Sequence, residues 1–483
     1  MSTTPDETPV GEESVASLEF SAAIPDLKLL PLNYDKPAPA SERTESPTPE
    51  RKNDELLQVE AINFMEVTPR GKKTIKSGSL PSLVKFFLMD SAAAPEDLHK
   101  FLMCYRRWCS PGQLWSVIMS MYNPEDEKDM SPDTLFQQRN AVISFIITWI
   151  ERCSSQDFFS SKEKFANPLW KSLHEFIRRL EHSQCQTWAK SLVEKPFAYQ
   201  VSQLKERNGG FDGEIDLRTD YDYRGVVWSI TQTLFPRSLV PGEFQLLDIH
   251  AQEVAQCLTL TEYNLFRNIR INEFLEKTWI KDEGNSLIYV MVNRFNHVAF
   301  WAATEIVSQD NLYNRKMALE RFIQVAQACY EMNNFNSTME MMAGLSMGPV
   351  SRLKKTWAAI SRSSLETFKM LEDEMKPMKN YYNYRKKVQL LTAAKVPLLP
   401  YVGLLLKDLT FIDENPDKAD GGLINFEKVD LLGTIMMKIE YFQQQTFSLI
   451  EVEEPILNFL NNLHVQNEDD LYQLSLKQEP RGS

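Results

Sequence analysis

The sequence predicts an all-α protein of two helical domains behind an acidic, flexible N-terminal tail. Three observations carry this. Apolar residues recur at helical spacing in one segment after another from about residue 79 onward. Prolines and cap residues punctuate those segments where helices start and stop. No alternation of strands and helices, of the kind an α/β fold needs, runs along the chain.

The tail comes first. Eight of the 25 prolines fall within the first 50 residues, among many Ser, Thr and Glu. Such a stretch buries too little apolar surface to offset its chain entropy, so residues 1–57 are expected to be disordered. Ser46-Pro47 and Thr48-Pro49 have the look of phosphorylation sites, and plain linker composition explains them equally simply. Residues 1–60 hold 13 acids and 5 bases, a net of −8, so the other 423 residues contribute −5 to the chain's −13. An acidic chain without a basic footprint argues against nucleic-acid binding.

Residues 58–182 form the first expected domain. Ser79 to Phe87, Pro95 to Trp108 and Pro111 to Met121 have helical spacing. Ser131-Pro132 is an N-cap followed by proline at the first helical position. Val142, Phe145, Ile146, Trp149 and Ile150 then form a one-sided stripe, repeated by Leu169, Leu173, Phe176 and Leu180. Residues 183–240, with Gly209-Gly210, Gly213 and Pro236, are a connector in which Arg224 to Leu234 reads as helical or extended.

Residues 241–483 form the second expected domain. Glu253 to Arg267, Asn293 to Ile306 and Met317 to Tyr330 are helices by period. Ser337 and Glu340 have capping-box spacing ahead of the next helix, which Gly348-Pro349 ends. Met339, Met342, Ala343 and Ser346 share roughly one side of it, and Met342 reads as core. From Pro397 to Asn425 the chain reads as helix, turn and second helix. Pro397 and Pro400 suit an extended lead-in and a first helical turn. Pro416 stops the helix at its preceding residue. Asp420-Gly421-Gly422 turns the chain into a helix from Ile424 to Gln445. Thr410 and Glu414 lie four apart on one face.

Several chemistries are excluded or weakened. There is no apolar run of about 18 residues for a membrane span. The opening MSTTPDETPV has no basic-then-apolar leader pattern, so an intracellular location is expected. The six cysteines are scattered without C-x-x-C, as reduced buried thiols would be. Gly344-Leu-Ser-Met-Gly348 matches G-x-S-x-G, but that nucleophile elbow needs a strand before the serine, and a capped helix is expected there. No G-x-x-x-x-G-K-[ST] or H-E-x-x-H occurs.

The stretch Pro400-Tyr401-x-Gly403-x-x-Leu406-x-Asp408-Leu-Thr-Phe-Ile-Asp-Glu-Asn-Pro416 resembles the helical hairpin of the Ras-family guanine-nucleotide exchange factors, lacking one glycine after Glu414. Asn333-Asn-Phe-Asn336, Met339, Gly344-Leu345, Val350, Arg352-Leu-Lys354 and Thr356-Trp357 resemble a second motif of that family, and Asn380-Tyr381 with Tyr384-Arg385 a third. Ile75 to Leu80, Phe101 to Arg106, Trp108, Ser110-Pro111, Leu114-Trp115 and Arg139 resemble the N-terminal module that precedes the exchange domain in the family. Leu471 to Arg481 resembles its closing segment.

The resemblance implies an exchange factor acting on a Ras-family GTPase of Ras, Rap or Ral type, with the N-terminal module steadying a protruding hairpin. It implies no covalent chemistry and no cofactor, the Mg-nucleotide belonging to the GTPase. Thr410 would crowd the metal site, Glu414 would bring a carboxylate to it, and Tyr401 would anchor the hairpin base. Met339, Ser346, Asn336, Arg352, Asn380, Tyr381 and Phe411 would meet the GTPase. A cytoplasmic protein drawn to the plasma membrane by its lipidated target follows. A non-catalytic scaffold that keeps the fold and binds without exchanging is the alternative.

Overall fold

A computed structural model describes residues 61–66, 73–89, 95–153, 157–158, 168–181, 245–281, 286–445, 447 and 453–481. The expected tail and the whole of the expected connector, with the helical or extended reading of Arg224 to Leu234, lie outside the described residues.

The first module opens with two strands, β1 (Ile62–Glu66) and β2 (Lys73–Gly78), paired antiparallel. Five helices follow: α1 (Leu80–Met89), α2 (Pro95–Cys104), α3 (Pro111–Tyr122), α4 (Pro132–Cys153) and α5 (Pro168–Glu181). The expected cap is present, with Ser131 Oγ accepting the Thr134 N–H at 3.1 Å. Ser110 and Gln113 add a reciprocal capping box at the start of α3. Asp157 gathers three donors in the core of this module, from Tyr105, Trp149 and Arg106.

The second module runs through α6 (Ala251–Asn268), α7 (Ile271–Glu276), α8 (Thr278–Lys281), α9 (Leu287–Val307), α10 (Leu312–Glu331), α11 (Phe335–Ser346), α12 (Gly348–Ser351), α13 (Lys354–Ala359), α14 (Arg362–Met375) and α15 (Met378–Ala393). Then come α16 (Val402–Asp413), a two-residue strand β3 (Ile424–Asn425), α17 (Phe426–Gln444), α18 (Glu454–Asn461) and α19 (Glu468–Gln478). The expected helices are there, with one change of cap. Asn334, not Ser337, caps α11, its Oδ1 taking the Ser337 N–H at 2.9 Å. Ser337 and Glu340 sit inside that helix and are buried.

The all-α expectation holds, with a small sheet added. β2 pairs with β3, Ser77 opposite Asn425 and Gly78 opposite Ile424, so the order is β1-β2-β3. Ile75 to Gly78, expected only as part of a helical module, is therefore the strand that joins that module to the start of α17.

Two apolar cores result. One fills the centre of the second module, around α6, α9, α10, α11, α14, α18 and α19. The other is continuous from the first module into α16 and α17. α17 lies along α2 so closely that a Cβ on Gly433 would meet the Lys100 backbone at 2.7 Å. Only glycine permits that approach. Lys100 also pairs with Asp430 at 2.7 Å, and Arg152 with Glu440 at 3.0 Å.

Candidate functional site

The hairpin formed by α16 and α17 is fixed at both ends. At its base, Leu399 forms a parallel bridge with Asn334, its N–H donating to the Asn333 carbonyl at 3.0 Å. Helix α16 begins at Val402, so Pro397 and Pro400 both belong to the lead-in rather than to a first turn. Tyr401 is the N-cap residue and is only 2% exposed. Its ring lies between Phe295, at 5.9 Å, and Tyr381, at 6.1 Å. Its backbone N–H donates to the Tyr384 hydroxyl at 3.0 Å. A Cβ on Gly403 would strike the Tyr401 ring at 2.7 Å, so the glycine inside this helix makes room for the anchor.

At the tip, two carboxylates and three cations interlock. Lys428 is 1% exposed, and its Nζ reaches Asp417 Oδ1 at 2.8 Å and Asp413 Oδ1 at 3.3 Å. The same ammonium donates to the carbonyls of Asp413, at 3.2 Å, and Asn415, at 2.6 Å. It thus satisfies carbonyls at the C-terminal end of α16, where a cation is favoured. Lys277 binds Asp413 Oδ2 at 2.6 Å. Arg107, from the first module, reaches Asp413 at 2.8 Å and Asp417 at 3.1 Å. Trp108 Nε1 donates to the Asp417 carbonyl at 2.7 Å. Burial opposes the charge on Asp413, but the Lys277 hydrogen bond and the charges of Arg107, Lys277 and Lys428 outweigh it and hold the carboxyl below its usual range.

The residues between these anchors face outward. Thr410, Phe411 and Glu414 are exposed, Phe411 by 71%. A large apolar ring that open, beside a helix end, suits a partner rather than a core. Thr410 Oγ1 donates to the Leu406 carbonyl at 2.8 Å, so its proton is already used and what it offers a neighbour is bulk and an acceptor oxygen. Glu414 ends α16, and its carboxylate is free of hydrogen bonds and ion pairs among the described residues. The missing glycine shortens the turn without freeing it, because the carbonyls on either side of Glu414 are both held by Lys428.

The expected contact residues divide. Ser346, Asn380 and Phe411 are exposed. Met339, Asn336 and Tyr381 are buried in the free chain, and Met342 with them. Asn336 spends its side chain on Glu262, Glu340 and the Val402 N–H. Arg352 is half-buried and binds the carbonyls of Ser475 and Glu479, each at 2.7 Å. In the free chain, then, Asn336, Met339 and Tyr381 are buried and Arg352 is half-buried, so none of the four stands open on the surface. They build the ground under the surface and the seat of α19. The reason is shared: each lies on the inward side of its element, where hydrogen bonds or apolar packing use it up.

Asn380 and Tyr381 carry a further feature. Lys379, Asn380 and Tyr381 all have positive φ, at 51°, 56° and 57°. Three consecutive left-handed residues without glycine cost roughly 1–2 kcal/mol each. Tyr381 packing on Tyr401 and Arg385 binding the Asn380 carbonyl at 2.9 Å and Asp408 at 2.7 Å hold the turn in place.

Ser346 closes a helix and no strand leads to it, so the G-x-S-x-G match makes no nucleophile elbow. Sequence reasoning missed Lys428, Arg107, Asp417 and Lys277. A signal existed for Lys428: it lies four residues before Leu432 and eight before Met436, on the buried face of α17.

Fold and site define a two-module helical protein with an outward-facing hairpin braced from both modules. Comparison with known proteins agrees. Residues 74–176 match the RasGEF N-terminal motif and residues 253–430 match the RasGEF domain, in that order and together over more than half of the chain. Ras guanine nucleotide exchange factor R of Dictyostelium discoideum is 32% identical over 458 residues, 90% of this chain and 24% of the relative. Ras guanine nucleotide exchange factor A of the same organism is 30% identical over 426 residues, 85% of this chain and 66% of the relative. Ras guanine nucleotide exchange factor P is 30% identical over 433 residues, 86% of this chain and 27% of the relative. The chain thus spans between about a quarter and two thirds of the length of these relatives. It belongs to the Ras guanine nucleotide exchange factor family.

Proposed function

We propose that this chain promotes GDP release and GTP loading on a Ras-family small GTPase of Ras, Rap or Ral type. The observation that carries the reading is the free Glu414 carboxylate on a tip whose flanking carbonyls are fixed. An unpaired acid at the C-terminal end of a helix opposes the helix dipole. Its position makes sense against a cation or phosphate site in a partner.

The physical task needs no covalent chemistry. A small GTPase holding Mg-GDP at roughly picomolar Kd has about −16 kcal/mol to overcome. A protein that binds the nucleotide-free form best lowers nucleotide affinity, and the coupling is mutual. Thr410 and Phe411 supply bulk at the first switch, and Glu414 supplies negative charge. Mg²⁺ tolerates little distortion of its octahedral shell, so modest intrusion expels it. Ser346 and Asn380 meet the second switch from the neighbouring face, over Met339 and Tyr381. The bracing at tip and base turns binding energy into displacement, because a hinged hairpin would yield instead. GTP enters afterwards as the more abundant ligand. The chain works in the cytoplasm and at the plasma membrane, where its lipidated target sits. No helix of the described residues is long and apolar enough to cross a membrane.

The test is release of a fluorescent GDP analogue from purified Ras, Rap and Ral proteins with catalytic amounts of the chain. Acceleration on at least one supports exchange. Stable binding to nucleotide-free GTPase without acceleration on any supports the scaffold alternative.

A further inference from the structure

The base of the hairpin rests on two buried carboxyl groups. Glu262 on α6 and Glu340 on α11 are both 0% exposed. Asn336 Nδ2 donates to Glu262 Oε2 and to Glu340 Oε1, each at 3.1 Å. Ser337 Oγ donates to Glu262 Oε2 at 2.6 Å. The second oxygen of each carboxyl, Glu262 Oε1 and Glu340 Oε2, has no donor among the described residues. Two ionised carboxylates so placed repel, and each unmet acceptor carries its own desolvation cost. A single proton held between the two carboxyl groups relieves the repulsion and gives one of them a donor.

The surroundings fit one proton rather than two or none. Arg294 on α9 is the cation that acts on Glu340, and the thiol of Cys329 on α10 is the other titratable group beside the pair. Burial and the two carboxyls keep Cys329 protonated. Burial first, then the charge and hydrogen bond of Glu262, push the Glu340 carboxyl well above its usual range against the pull of Arg294. With one shared proton the pair carries a single negative charge, toward which the Arg294 charge acts through space.

This pair connects to the hairpin through one side chain. Tyr401, the N-cap residue of α16, offers no side-chain acceptor to the helix start. Asn336 supplies it from another helix, its Oδ1 accepting the Val402 N–H at 3.3 Å. Both hydrogens of the Asn336 amide are engaged by the carboxyl pair, so its carbonyl has only the Val402 direction left. We propose that Glu262 and Glu340 share one proton and act as a positioning pair, orienting Asn336 so that it caps α16 and sets the direction in which the hairpin leaves the domain. Loss of the proton drives the carboxylates apart, and one amide no longer bridges both.

The kinetic part of the test rests on the exchange reading; the other parts do not. Infrared difference spectra of the full chain at pH 7, wild type minus Glu340→Gln, are expected to show one protonated carboxylic-acid carbonyl band. Absence of that band overturns the proposal. Spin labels at Lys418→Cys and Lys369→Cys, both exposed positions, in a Cys185→Ser background report the hairpin's direction. A narrow distance distribution is expected to broaden in Glu340→Ala and narrow again in Glu340→Gln, whose amide replaces the shared proton. An unchanged distribution in Glu340→Ala overturns the positioning role. Should Glu340→Ala not fold, the wild type across alkaline pH decides. Broadening as the band disappears supports the pair, and a constant distribution overturns it. In GDP release, kcat is expected to fall about tenfold in Glu340→Ala and to recover in Glu340→Gln, a fall of about 1.4 kcal/mol in transition-state stabilisation. If the wild type releases GDP from none of the three GTPases while band and distances behave as stated, this inference stands and the exchange reading falls.

Discussion

Lys428 holds the carbonyl of Asn415 at 2.6 Å from the opposite arm of the hairpin, one residue beyond the exposed Glu414. A buried ammonium is costly unless it is fully paired. Here it is paired twice over, by two carboxylates and two carbonyls, and the partners it needs are the residues that define the tip.

Lys428→Met removes that cation and leaves Asp413 and Asp417 short of a partner in a partly buried place. Breaking a buried pair typically costs about 3–5 kcal/mol. Arg107 and Lys277 remain, so a loss toward the lower end is expected in chemical denaturation. GDP release should fall more than stability does, because Glu414 loses its fixed pose. Equal stability and equal exchange would show that the tip needs no lysine.

Tyr401 separates anchoring from hydrogen bonding. Its hydroxyl is buried and has no partner among the described residues, while its ring is enclosed. Tyr401→Phe is expected to keep exchange and to leave stability level or raised by about 1 kcal/mol. Tyr401→Ala empties a core site, at about 3–5 kcal/mol, so its loss of exchange would mix with a loss of fold. Thermal unfolding alongside GDP release distinguishes the two variants.

Arg107 tests the contribution of the first module. Its guanidinium is 29% exposed, so solvent screens the pair and the stability change on Arg107→Ala should stay near 1 kcal/mol or less. Exchange is expected to fall severalfold at low salt, and the gap should narrow at high salt, where screening weakens the pair in the wild type as well. A variant indistinguishable from wild type at low salt would confine the bracing to Trp108, β3 and the α2–α17 contact.

Two of the perturbed acids, Asp413 and Glu340, make stability respond to pH in opposite directions. The Asp413 carboxyl is held below the ordinary aspartate value, so its stabilisation is present above that value and is lost as pH falls further. The Glu340 carboxyl is pushed above the ordinary glutamate value, so its protonated form favours folding. That contribution is complete below about pH 4.5 and declines as pH rises toward the folded-state pKa. The slope in that window is at most about 1.4 kcal/mol per pH unit. Unfolding free energy measured from pH 5 to 9 should therefore fall less steeply in Glu340→Gln than in the wild type.

Much of this was legible beforehand. Helical period and caps located the helices, because those signals are local. The hairpin motif located Thr410, Phe411 and Glu414, which are indeed outward. What stayed hidden is non-local. Ile75 to Gly78 is held as a strand by its antiparallel pairing with β1, and Ile424 and Asn425, some 350 residues later, extend the sheet only along Ser77 and Gly78. Asn336 and Arg352 look like surface polar residues in a list of letters. Only the fold brings Glu262, Val402 and Ser475 to them. Lys428 shows the opposite case: its place on the apolar face of α17 was readable, and a lysine there invites a search for buried acids.

The most direct measurement is GDP release by Glu414→Ala beside its unfolding midpoint. Glu414 is exposed and its side chain is unpaired among the described residues, so the midpoint should match the wild type. Release from the responsive GTPase should slow at least about tenfold. Undiminished release at an unchanged midpoint would contradict a charged, braced tip as the agent that loosens the nucleotide.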